Sequence, residues 1–115
     1  MASLVVYYNV RRTGLALRPK EPFVQWLKSI KYHNMNETVG FEGDLYLLPD
    51  FETVEEMEEW LETNYDEIFR HQLGAWYLDD ALWPSQRTFA MFKSWFSYEK
   101  HTMVWDIEEG ELEKA

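Results

Sequence analysis

Glu99 and His101 are separated by one residue. A carboxylate beside an imidazole can hold one tautomer of the ring and raise its pKa, which is the chemistry of a general base. With Asp79 or Asp80 the same pair could ligate a metal ion, but the chain has no HExxH, no HxH, and no third histidine close to His101 in sequence. His33 and His71 could join it only through folding. A satisfied structural His–Glu pair is the competing reading. The segment Tyr77-Leu-Asp79-Asp80-Ala-Leu-Trp83-Pro84-Ser-Gln-Arg87 offers a second constellation. Asp79 suits the cap of a short turn, and Arg87 can reach back to it through two parallel hydrogen bonds. Either this is a structural corner around Trp83 and Pro84, or Arg87 and Tyr77 line a pocket that reads a carboxylate or phosphate.

Two charged segments suggest binding rather than catalysis. Arg11, Arg12 and Arg18 lie in a basic stretch, Arg11 to Lys20, read as a loop from a strand into a helix start, where anions often sit. It contains one glycine, Gly14, and no GKS/T sequence, so a solvated connection or ion pairs with acidic groups elsewhere compete with anion binding. From Asp50 to Phe69 there are nine acidic residues and no basic one. On a helix, Glu55 with Glu59 and Glu58 with Glu62 form like-charge i,i+4 pairs, each costing roughly 0.2–0.5 kcal/mol. Glu55, Glu58, Glu59, Glu62 and Asp66 therefore form either a solvated face or a docking surface for a basic partner.

These groups must be positioned by regular elements. Leu4 to Val10 is β-branched and aromatic on both alternating faces, which predicts a strand that is central or covered on both sides. Pro22 suits the first turn of a helix over about Lys20 to Ile30. Lys31 to Gly43 reads as loop or irregular strand, and Asp44 to Leu48 as a strand ended by Pro49. Thr53 and Glu56 form a capping box ahead of a long helix. Val54, Met57, Trp60, Leu61, Tyr65, Ile68, Phe69 and Gln72 follow its 3.6-residue period, and Gly74 is its expected stop. Asp79 to Trp83 predicts a short helical turn, and Ser85 is the expected cap of a third helix carrying Phe89, Phe92, Trp95 and Phe96. From Tyr98 to Ile107 the pattern alternates, with Glu99, His101, Met103, Trp105 and Ile107 on one side, expected to approach the core. The order β-α-β-α-α-β predicts an α+β domain over 1–107: a small three-stranded mixed sheet with helices mainly on one face, followed by an acidic frayed tail over 108–115.

The bulk composition narrows the function classes. The 115 residues suit one domain, and seven Phe, seven Tyr and six Trp supply a core without staples. The helical rings are core first, but Trp26, Trp60 and Trp95 strain a core of this size, so an exposed ring would mark an interface such as a homodimer. There is no cysteine, which excludes disulfides and thiolate chemistry. The apolar run Leu4 to Tyr8 is too short for a signal-peptide core, and nothing approaches a membrane span, so a cytoplasmic location is the expectation. Net charge is −10: residues 1–36 carry six basic groups and one acidic, and residues 37–115 carry five basic and twenty acidic. Such a chain repels nucleic acid at long range. No nucleophile elbow, P-loop, dinucleotide fingerprint or zinc spacing is present, and no cofactor is expected. The leading expectation is a non-catalytic interaction module, of the inhibitor, immunity or adaptor type, that meets a basic protein. A small enzyme and an anion- or nucleotide-binding regulatory domain are the alternatives.

Overall fold

The computed structural model describes residues 6–30 and 42–115. The expected loop over Lys31–Gly43 therefore lies mostly outside them, as do Leu4 and His33. The described residues form an α+β fold in the order β1 (Tyr8–Val10), β2 (Thr13–Pro19), α1 (Glu21–Ser29), β3 (Asp44–Leu48), α2 (Val54–Gly74), α3 (Phe89–Trp95), β4 (Phe96–His101) and β5 (Val104–Asp106), with a 3-10 turn at Asp80–Leu82. β3, β2 and β4 make a three-stranded sheet with β2 in the middle, and β1 pairs with β5 in a separate two-stranded ribbon. All these pairings are antiparallel, so the three-stranded sheet is antiparallel rather than mixed.

The central strand is the segment read as a basic loop. Thr13, Leu15 and Leu17 are buried at alternate positions of β2, the period-2 signature of a half-buried strand. Gly14, Ala16 and Arg18 take the other face. Leu15 pairs with Tyr46 on one side and Lys100 on the other. Gly43, just before β3, comes so close to β2 that an added Cβ would lie 2.8 Å from the Leu17 carbonyl oxygen. Only glycine permits that approach without moving backbone. Of the segment expected to be a central strand, Leu4 to Val10, the described residues place Tyr8–Val10 in the ribbon, and Tyr8 is exposed.

The helices cover one face of the three-stranded sheet. Thr53 caps α2 by accepting from the Glu56 N–H, and the Glu56 carboxylate reaches the Glu52 N–H. Met57, Leu61, Ile68, Phe69 and Leu73 form the buried stripe of α2. Fully buried Phe23, Phe69, Phe92 and Phe96 bring α1, α2, α3 and β4 together, with Phe69 and Phe96 meeting edge to face at 5.4 Å between centroids. Such ring pairs add about 0.5–1.5 kcal/mol beyond their burial. The buried Thr13 hydroxyl accepts from the Phe51 N–H and ties β2 to the approach of α2.

Gly74 ends α2 as expected, and its missing side chain leaves room for the Trp83 ring, which an added Cβ would meet at 3.5 Å. Two local expectations are corrected. Thr88, not Ser85, caps α3, accepting from the Met91 N–H. Trp26, Trp60 and Trp95 all join the core or its margin. The tryptophan left exposed is Trp105.

Candidate functional site

The acidic residues of α2 differ in whether the fold supplies them a partner. Glu58 faces the inner side of the sheet. Its carboxylate accepts from the Tyr98 hydroxyl at 2.9 Å and from Lys100 Nζ at 2.9 Å. Burial pushes its pKa up, but the hydrogen bonds from Lys100 and Tyr98 outweigh it and hold the carboxyl below its ordinary range. The Tyr98 hydroxyl is raised by burial and by the Glu58 carboxylate it faces. Asp66 is held low by the hydrogen bonds of Arg87, whose Nε and Nη2 meet its two oxygens at 2.7 and 3.1 Å. Both acids are therefore neutralised within the molecule. Glu55, Glu59 and Glu62 are exposed and form no ion pair among the described residues. They are the part of the predicted acidic surface that remains available.

Arg87 does not reach back to Asp79. It pairs with Asp66 and donates to the Pro84 carbonyl at 2.8 Å. A planar fork held by three hydrogen bonds to two partners is committed to structure. Asp79 caps the 3-10 turn by accepting from the Ala81 N–H. Trp83 Nε1 donates to the Tyr77 carbonyl, and Trp26 Nε1 to the Leu82 carbonyl. These contacts build the corner around Trp83 and Pro84, and Tyr77 and Trp83 pack against the core.

Glu99 and His101 do share a face, with Glu99 Oε1 3.3 Å from His101 Nε2. That face is the outer, solvent side of the sheet, not the core side. Phe96, Tyr98 and Lys100 point inward instead. The sequence pattern misleads because Lys100 lies on the core side, with its stem packed and its ammonium ending on Glu58. On the outer side Ala16 and Leu45 floor an open concavity of about 660 Å³, edged by Arg18, Ser97 and Glu99.

Arg11 and Arg12 occupy the turn between β1 and β2, while Arg18 is on the outer sheet face. The folded β2 thus disperses the three arginines rather than curling them around one anion. Among the described residues no group of three or more His, Asp or Glu side chains is placed to hold a metal ion, and no helix is long and apolar enough to cross a membrane.

The ribbon was not foreseen as a site. Tyr7, Met103, Trp105 and Ile107 are 64, 57, 54 and 61 % exposed. Asn9 pairs with Trp105, and continuing that ladder places Tyr7 beside Ile107 on the same side of the ribbon. The opposite side lies against the sheet at Gly14, where an added Cβ would meet Val104 Cγ2 at 3.4 Å. Read as a strand running on from Tyr98, Trp105 looked core-facing. The break after His101 is the sequence-local reason it is not. Comparison with known protein families, curated proteins and solved structures finds no match to this chain.

Proposed function

We propose that this protein is a non-catalytic interaction module that presents the outer stripe of α2 to a basic surface of another protein, as an inhibitor or adaptor would. One observation carries the reading: among the described residues Glu55, Glu59 and Glu62 stay exposed without an ion pair, while Glu58 and Asp66 on the same helix are neutralised internally. Glu55 suits the first turn of the helix, but the Glu55–Glu59 spacing costs roughly 0.2–0.5 kcal/mol. A cationic partner reverses that sign, and complementary charge speeds its encounter at low salt.

The test holds net charge constant. One variant carries Glu55→Gln, Glu59→Gln and Glu62→Gln; the control carries Glu109→Gln, Glu111→Gln and Glu113→Gln. Binding to immobilised polylysine is followed against salt. The helix variant should elute at clearly lower salt than the control. Equal elution of the two would mean that only net charge acts, and the docking surface would be lost.

A further inference from the structure

The β1–β5 ribbon is a short two-stranded element with an uncovered apolar side. In water such a ribbon is marginal on its own, and a contiguous exposed apolar patch on a regular element marks an interface. Tyr7, Met103, Trp105 and Ile107 make up this patch, with exposed Asn9 set among them opposite Trp105. The ribbon is also electrically polar along its length. Arg11 and Arg12 follow β1 at one end and are exposed without an ion pair among the described residues. Because β5 runs antiparallel to β1, Glu108 and Glu109 follow it at the other end, also exposed.

We infer that a second copy of this chain covers the ribbon, face to face, about a twofold axis lying between the ribbons and across their strands. A symmetric interface must be complementary to itself. This axis reverses the strand direction, so Arg11 and Arg12 of one copy meet Glu108 and Glu109 of the other at both ends, with Trp105 and its apolar neighbours between. The alternative axis, parallel to the strands, sets like charges together. The net charge of −10 on each copy opposes approach, but at physiological salt that repulsion is screened beyond about 8 Å while the opposed end charges are closer. Large rings carry about 150–250 Å² each, so four side chains at this exposure offer on the order of 400–500 Å² per copy. The sum over two copies falls below the roughly 1,200–2,000 Å² of stable complexes, so the dimer is weak and concentration-dependent. The surface is separate from the exposed stripe of α2, and neither reading depends on the other.

Sedimentation equilibrium on the full chain, to about 0.5 mM so that weak complexes are reached, tests this. The wild type should show a reversible monomer–dimer equilibrium, and Trp105→Ser should raise the dissociation constant about tenfold or more, as loss of a central ring does. Two charge variants guard against misfolding. Arg11→Glu with Arg12→Glu makes both ends acidic, and Glu108→Lys with Glu109→Lys makes both ends basic. Each alone should stay monomeric, and an equimolar mixture should form a heterodimer. A monomeric wild type over the whole range, an unchanged constant for Trp105→Ser, or failure of two folded charge variants to pair would overturn the inference.

Discussion

The two β-structures of this molecule treat aromatic rings in opposite ways. The three-stranded sheet is backed by three helices, and its inner face meets rings that are fully buried, Phe23, Phe69, Phe92 and Phe96. The ribbon has rings of the same kind, Tyr7, Tyr8 and Trp105, yet they remain in solvent. Ring content thus does not decide burial; a covering layer does. The sheet has α2 and α3 to cover it, whereas on the ribbon Tyr7, Met103, Trp105 and Ile107 each stay more than half exposed.

The sharpest break of this contrast is a pair of substitutions. Phe92 is fully buried against Phe69, Phe96 and Tyr98. Phe92→Ala should cost about 3–5 kcal/mol, a large part of the roughly 5–15 kcal/mol that holds a domain of this size. Trp105→Ala, at a concentration where the chain is monomeric, should cost under about 1 kcal/mol because its ring is already wet. Urea unfolding measures both. Comparable losses would show the ribbon to be part of the same cooperative core.

Arg87→Ala comes next. It removes two hydrogen bonds to Asp66 and one to the Pro84 carbonyl, and leaves Asp66 without its cation. Charge-assisted bonds at a half-buried site are worth about 1–2 kcal/mol together once solvent screening is allowed for. Arg87→Lys should recover only part of this, because an ammonium cannot reproduce the fork. Full recovery by lysine would reduce the corner to simple charge pairing.

These contrasts show what could be read from the chain alone. The span of α2 was legible because its cap and its 3.6-residue stripe are local, and β3 because Pro49 ends it. β2 was not: Thr13, Leu15 and Leu17 alternate correctly, but Arg11, Arg12, Gly14, Arg18 and Pro19 share the stretch and look like a loop. Arg18 is tolerated because the outer sheet face is open to solvent there, and Arg11 and Arg12 because they lie in the turn before the strand. The acidic residues were visible by count, but their division was not. Glu58 is separated from Lys100 by 42 positions and Asp66 from Arg87 by 21, and no helical period encodes such partners. The apolar residues of β1 predict burial by their type, but only the fold determines whether a layer covers them.

The smallest effect is the pH dependence that the two internally paired carboxylates of α2 contribute. Glu58 and Asp66 have pKa values below their ordinary range in the folded protein. A depressed folded pKa means that the unfolded chain binds more protons, so this stabilisation is fully present above the ordinary carboxylate values, near pH 4–4.5. It is lost as pH falls below them, through the lower folded values. Urea midpoints of the wild type should therefore decline on acidification through that window. Glu58→Gln with Asp66→Asn should lower the midpoint at neutral pH and flatten the decline. The carboxylates are partly solvated, with side chains 33 and 42 % exposed, so screening keeps the difference small. A double variant whose midpoint fell on acidification as steeply as that of the wild type would show that the two internal pairings do not set the pH dependence, and the division of α2 into neutralised and available carboxylates would lose its support.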